Sequence, residues 1–428
     1  MTNLARPDTR KATLDVLSRL LDGYQRDFAV RFWDGTEWEP DRAMRARLTL
    51  VLNHPGSLRA MLARPWQLQL SLAEAFLYRD IDFEGDLEGV FGLADFLLKE
   101  RPWGLSEKIW AARAVAALPS PDDRDAEGPP RLRGRRDSPT RLAEAVRYHY
   151  DLDQDFYGLF LDERRVYTCA YYESPTEDIG VAQERKLDYI CRKLRLVPGE
   201  RLLDIGCGWG GLIIHAVERF DVEALGVTLS APQAEIANER IRAAGLTDRC
   251  KVQVQDYREV GGEWDKVSSV GMFEHLSERG LAEYFRHVAS ILRPGGAFLN
   301  HGIGERYNKQ QRRGRSFFMS YVFPDCVLLP ISSTLRLAEA AGLEVRDVES
   351  LREHYALTAR AWRRRLEANH DRAVELVGEA TYRVWRLGMA GFAWGQDTGE
   401  LNLWQSLLVK PASDGASGLP LQRADWYM

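Results

Sequence analysis

Two stretches of the 428-residue chain carry residue types that could do chemistry. The first is Val166-Tyr167-Thr168-Cys169-Ala170-Tyr171-Tyr172, a thiol set among three tyrosines. A thiol in such a place can be a nucleophile, a metal ligand or a buried small side chain, and these seven residues alone do not choose. The second stretch, LLDIGCGWGG, follows about thirty residues later and carries Gly206, Gly208, Gly210 and Gly211. Glycines between a strand and a helix let a nucleotide approach the backbone and the helix N-terminus. Asp204 precedes the first of them by two residues, where a carboxylate can orient the loop and the amino group of a ligand. A glycine pattern of this kind is weak evidence by itself, and its meaning depends on the elements that position it.

GERLLDIG reads as a strand and GLIIHAVERF as the helix after it. VEALGVTLS and APQAEIANERIRAAG repeat the pair, CKVQVQDY and KVSSVGMF are further strands, and GAFLNHGIG is another after an RPGG turn. That alternation predicts a parallel sheet with helices on both faces. A nicotinamide dinucleotide would want an acidic residue at the end of the second strand. That strand ends Gly226-Val227-Thr228-Leu229-Ser230, and the nearby acids Asp221 and Glu223 lie at its start, the wrong end of the sheet. Asp256, after VQVQ, stands instead where class I methyltransferases place a carboxylate against the adenine amino group. The order DIGCGWG, GVTLS, QDY, LRPGG is similar to that superfamily and predicts an S-adenosylmethionine site on a Rossmann-like sheet.

The length predicts two domains. Leu118 to Thr140 is rich in Pro, Asp and Arg and nearly without apolar residues, the composition of an exposed linker. It divides the chain into a smaller α+β domain at 1–117, the linker at 118–140 and a methyltransferase domain at 141–428. In the first domain FAVRFWDGTEWEP reads as a strand, an Asp-Gly turn and an edge, and SLRAMLARPWQLQLSLAEAFL and DLEGVFGLADFLLKE show helical spacing. A net charge of −5 gives no sign of nucleic-acid binding. Five cysteines without a CxxC pair do not form a disulfide framework or a zinc site, which fits a reducing, cytoplasmic setting. MTNLARPDTRKATLDVL lacks the apolar core of a signal peptide, and no apolar run approaches the roughly 18 residues of a spanning helix.

The stretches YHYDLDQDFYGLFLDERRVYTCAYY, GMFEHL, LNHGIG, YVFPDCVLLP and REHYALTARAW, taken with LLDIGCGWGG and GVTLSAPQ, resemble the cyclopropane-fatty-acyl-phospholipid synthase family and its mycolic-acid relatives. The resemblance runs from about Tyr148 to Trp404. It implies a bicarbonate pocket made by Cys169, Glu274, His301, Ile303 and Tyr355. It also implies contacts to S-adenosylmethionine from Tyr167, Thr168, Gly206, Gly208, Thr228, Gln233, Asp256 and Tyr257, beside Asp204. Thr168 replaces the Ser of many members and keeps the hydroxyl. The implied substrate is an unsaturated acyl chain of a membrane phospholipid, and the implied product carries a cyclopropane ring.

An alkene is a weak nucleophile, so it must be held near 3–3.5 Å from the sulfonium methyl. The resulting carbocation must be kept from water, and aromatic faces can stabilise it. Tyr171, Tyr172, Phe273, Tyr321 and Phe323 are candidate walls. A small bound base then removes a proton from the transferred methyl. In this scheme Cys169 is a weak S–H donor, not a nucleophile. His275, adjacent to Glu274, reads as structural and pointing away along a strand. RLRGRR (Arg131 to Arg136) and RYNKQQRRGRSFFMSYVF (Arg306 to Phe323) fit peripheral docking on anionic lipid at the inner face of the cell membrane, where a homodimer would gain avidity. The rival readings are a methylene- or methyl-branching enzyme that shares the first step, a small-molecule O- or N-methyltransferase, and an acyl-lipid binding module that only senses S-adenosylmethionine.

Overall fold

A computed structural model describes residues 7–39, 46–64, 67–100, 104–121, 128–130, 132–135, 138–307 and 316–426. The chain forms two compact units. The first comprises the described residues of Met1–Pro130, Arg312–Val322 and Gly378–Trp394. The Asp-Gly signal is realised as β1 (Phe28–Arg31) and β2 (Glu37–Trp38), antiparallel, with Gly35 at φ 83° in the turn. β3 (Leu48–Leu52) and β4 (Ile81–Gly85) complete a sheet in the order β2-β1-β3-β4. The helices α1 (Pro7–Leu20), α2 (Ser57–Met61), α3 (Leu68–Leu77), α4 (Gly89–Asp95) and α5 (Leu105–Ala117) accompany it. Two residues from far along the chain join this unit through polar bonds, one part-buried and one buried. Arg383 Nη2 donates to Asp82 Oδ2 at 2.7 Å, and the Tyr321 hydroxyl donates to Glu74 Oε1 at 3.0 Å.

The second unit comprises the described residues of Arg131–Gln311, Phe323–Val377 and Gly395–Met428. Its seven-stranded sheet runs β10-β11-β9-β8-β5-β6-β7. The strands are β5 (Arg201–Ile205), β6 (Glu223–Thr228), β7 (Cys250–Val254), β8 (Trp264–Val270), β9 (Leu292–Glu305), β10 (Glu344–Ser350) and β11 (Leu401–Val409). β5 to β9 are parallel, as the alternating patterns predict, and β11 pairs antiparallel with both β9 and β10. In β5, Leu202, Leu203, Asp204 and Ile205 are all buried, as expected of a central parallel strand covered on both faces. The helices are α6 (Pro139–Tyr150), α7 (Gln154–Gly158), α8 (Ile179–Leu194), α9 (Gly211–Phe220), α10 (Ala231–Ala243), α11 (Glu278–Ile291), α12 (Ile331–Ala340), α13 (Arg352–Ala368) and the ends of α14 (His370–Asp397), which is interrupted at Gly378 (φ 78°, ψ 158°) and whose Gly378–Trp394 stretch belongs to the first unit.

The RPGG segment is not a turn ahead of a strand. β9 spans Leu292–Glu305 as one strand, and its register with β8 shifts between Trp264 and Lys266, so RPGG forms an irregularity inside it. Gly295 takes φ 75° and still donates its N–H to Lys410 O at 2.7 Å. A partner beyond the end of β11 thus keeps the chain in the sheet where Pro294 cannot donate. Among the described residues no helix is long and apolar enough to cross a membrane.

Candidate active site

The glycine loop leaves β5 at its C-terminal end and enters α9. Gly206, Gly208 and Gly210 take φ of 79°, 54° and 77°, a region that costs other L-residues strain. At Gly206 a Cβ would also lie 3.0 Å from the Met272 side chain. The loop borders a cavity at the C-terminal edge of the parallel strands, the usual ligand crevice of such sheets. Tyr167, Thr168, Asp204, Gly206, Gly208, Thr228, Gln233, Asp256 and Tyr257 all line it.

Each polar group there is tied down. Asp204 is buried and accepts from Ser268 Oγ at 2.8 Å. Burial pushes its carboxyl up to about 6, against the opposing pull of Ser268 and Lys186. Thr228 Oγ1 donates to Gln233 Oε1 at 2.9 Å, and Ser230 caps α10. Asp256 accepts the backbone N–H of Arg258 at 3.0 Å and its Nε at 2.8 Å. Burial alone would raise the Asp256 carboxyl, but the bonds from Arg258 hold it below the ordinary carboxylate range. An ionised carboxylate at this place can accept an amino N–H of a ligand base.

Residues not singled out by the sequence reading also face the cavity. Lys186 of α8 is buried, and its ammonium donates to Thr168 Oγ1 at 2.9 Å. Burial lowers its pKa to about 8. Trp209 is buried in the loop itself and donates from Nε1 to Gln154 Oε1 at 2.8 Å. His275 requires a correction. Phe273–His275 is a 3₁₀ turn rather than strand, so the two-residue alternation fails, and His275 lines the cavity. Burial lowers its pKa to about 4, so the ring is neutral.

Of the five residues expected around an anion, Glu274 stands in the 3₁₀ turn after β8, His301 and Ile303 in β9, Cys169 ahead of α8 and Tyr355 in α13, and none of them lines the cavity beside the glycine loop. Glu274 Oε1 accepts the Ile303 N–H at 2.7 Å, while its Oε2 is buried without a partner among the described residues. Burial pushes this carboxyl up to about 7, with the Ile303 bond pulling the other way. His301 is 1% exposed, and its Nδ1 meets Gln405 Nε2 at 3.2 Å. Its Nε2 is buried without a partner among the described residues. Burial, then the fields of Lys186 and Lys193, hold it neutral. Tyr355 is buried, and its hydroxyl pKa is raised by burial and then by Tyr167, Cys169 and Glu274. Cys169 is fully buried, with Sγ 3.2 Å from Ala170 O and 3.8 Å from Leu351 O. Burial raises its pKa far above the ordinary thiol value. A thiol held protonated is a poor nucleophile.

Of the candidate wall residues, Phe273 is buried beside Glu274, and Phe323 packs its ring 3.9 Å from that of His149 and 6.0 Å from that of His275. Tyr171 instead stacks on His354 at 4.7 Å. Tyr321 belongs to the first unit.

This sheet, loop and cavity can be set beside known proteins. A family model described as mycolic acid cyclopropane synthetase matches residues 137–406. The chain belongs to the mycolic acid cyclopropane synthetase family. A second model, a domain of unknown function, matches residues 16–95. A Pseudomonas putida protein named "Probable fatty acid methyltransferase" is 38% identical over 403 residues, 93% of this chain and 95% of its own length. The cyclopropane-fatty-acyl-phospholipid synthase of Escherichia coli K12 is 33% identical over 267 residues, 62% of this chain and 68% of its own. The crystal structure of mycolic acid cyclopropane synthase CmaA1 complexed with SAH and CTAB covers 62% of this chain and 97% of its own, at 32% identity and a TM-score of 0.59. This member of the family is an S-adenosylmethionine-dependent methyltransferase.

Proposed function

We propose that the chain transfers the methyl carbon of S-adenosylmethionine to the cis double bond of an unsaturated phospholipid acyl chain and closes a cyclopropane ring. The observation that carries this reading is that two buried polar atoms, Glu274 Oε2 in the turn after β8 and His301 Nε2 in β9, are left without partners among the described residues. Buried polar atoms in folded proteins nearly always have partners, so this pair fits a small ligand that both donates and accepts. Hydrogen carbonate does both, and Glu274 and His301 would hold it. When bound it supplies a base for a proton of the transferred methyl.

The chain's own residues do the rest. Asp256, Thr228 and Gln233 orient the methyl donor, whose C–S bond breaks as the alkene π electrons form the new C–C bond. Phe273 and Phe323 keep the cation from water. The neutral thiol of Cys169 and the hydroxyl of Tyr355 offer donors without offering a nucleophile that would trap the cation. After proton loss, the C–H electrons form the last bond of the ring.

A second reading, methyl or methylene branching, is favoured by the name of the Pseudomonas putida relative. It shares every step up to the cation. Peripheral docking on anionic membrane and a homodimer belong to the same proposal. The basic stretches invoked for docking lie partly outside the described residues, at 131, 136 and 308–315. The test is incubation with labelled S-adenosylmethionine and unsaturated phospholipid vesicles, with and without bicarbonate, followed by ring-specific derivatisation and lipid mass spectrometry. Ring-bearing chains that need bicarbonate support the reading, and labelled chains without a ring support the second one. Label confined to small metabolites would overturn both.

A further inference from the structure

The antiparallel register of β9 and β11 sets Gln405 opposite His301. Both side chains are buried, at 0% and 1% exposure, and Gln405 Nε2 lies 3.2 Å from His301 Nδ1. A neutral imidazole carries one N–H and one bare nitrogen. Which nitrogen holds the proton is set by the bond that the other one makes. An amide N–H aimed at Nδ1 requires that nitrogen to be bare. The proton must then sit on Nε2, the ring atom left without a partner.

We propose that Gln405 is a positioning residue that locks His301 in its Nε2–H tautomer, turning the inner face of β9 into a hydrogen-bond donor for an anion. The inference rests on the bicarbonate reading for its purpose, but the tautomer is a property of the protein alone. The opposite tautomer would present a bare nitrogen, making His301 an acceptor where the anion needs a donor. An anion would then meet a lone pair at His301 instead of an N–H, and bind more weakly. The Gln405 amide therefore decides whether His301 joins Cys169 and Tyr355 as a donor to the anion, without touching the anion itself.

A purely space-filling role for Gln405 predicts something different. Gln405→Met would preserve the volume and leave the ring free, while Gln405→Glu would place an acceptor against Nδ1. The carboxylate would draw the ring proton to Nδ1. The test uses the full chain labelled with ¹⁵N-histidine, without substrates, and assigns His301 by its disappearance in His301→Asn. Wild type should show the proton on Nε2, and Gln405→Glu should move it to Nδ1 or protonate the ring. Bicarbonate-dependent turnover is then measured on the same samples. KM for bicarbonate should rise about tenfold or more in Gln405→Glu and less in Gln405→Met, with KM for S-adenosylmethionine unchanged. A wild-type spectrum with the proton on Nδ1, or one that Gln405→Glu leaves unchanged, overturns the proposal. If Gln405→Glu fails to fold, the wild-type spectrum and the Gln405→Met titration still decide it. A wild-type enzyme indifferent to bicarbonate refutes the anion reading, while the spectra continue to decide the tautomer.

Discussion

Replacing Glu274 by Gln should stabilise the protein while abolishing most of its turnover, and the stability gain should depend on pH in a way the structure specifies. The Glu274 carboxyl is shifted by burial from its ordinary 4.5 to about 7. Each pKa unit is worth about 1.4 kcal/mol, so burying the ionised form costs about 3 kcal/mol. Below 4.5 the folded and unfolded chains both hold the proton, and this cost is absent. Between 4.5 and about 7 the folded state keeps a proton that the unfolded state has lost, so stability falls as pH rises across that window. Above it the full cost is carried.

Glutamine cannot ionise, and its amide oxygen can still accept the Ile303 N–H. The variant should therefore match wild type near pH 4.5 and exceed it by about 3 kcal/mol near pH 8.5, a melting-temperature gain of about 5 °C for a unit of this size. Asp204, pushed up to about 6 by burial, adds to the slope in both proteins and cancels in the difference. Scanning calorimetry at the two pH values measures the gap. A gap that does not widen with pH would refute the placement of an ionisable, desolvated carboxyl at 274. In the same variant kcat should fall about 10²-fold or more with S-adenosylmethionine affinity nearly unchanged, by isothermal titration calorimetry.

Three other outcomes follow from the geometry. Cys169→Ser keeps a donor and should retain activity within about tenfold of wild type; intact-protein mass spectrometry after turnover should show no adduct on the wild-type thiol, and a trapped adduct there would restore the nucleophile reading. Asp256→Asn removes the charge that Arg258 holds in place and should weaken S-adenosylmethionine binding about tenfold, by calorimetry. Gly206→Ala forces a side chain into a left-handed conformation, with its Cβ 3.0 Å from Met272, and should cost about 1–2 kcal/mol in denaturant melts.

Much of the second unit was legible because its signals are local. Apolar runs mark β5 to β9, and the glycines mark the loop. The polar residues that end strands, such as Thr228 and Asp256, stand where a crevice must form. What was not legible depends on tertiary neighbours. β11 is separated from its partner β9 by α12, β10, α13 and α14, so no window of sequence reveals that Gln405 meets His301. Tyr321 and Arg383 pack with the first unit although they follow the glycine loop by more than a hundred residues. The cavity-facing position of His275 is hidden from the sequence because a single 3₁₀ turn breaks strand alternation. Lys186 left a signal that could have been used: it falls among the buried positions Ile179, Ala182, Gln183, Leu187 and Ile190 of α8, and a lysine on an apolar stripe needs a buried partner.

The central claim is that a methyl carbon from S-adenosylmethionine ends as the bridging carbon of a ring on an acyl chain. The most direct measurement supplies methyl-trideuterated S-adenosylmethionine and vesicles of unsaturated phospholipid, then follows the acyl chains by mass spectrometry and NMR. The account predicts a cyclopropane whose bridging carbon has lost one deuterium and kept the others, formed only when bicarbonate is present. A chain that keeps all three deuteria on an open methyl branch, or a ring formed equally well without bicarbonate, would contradict it.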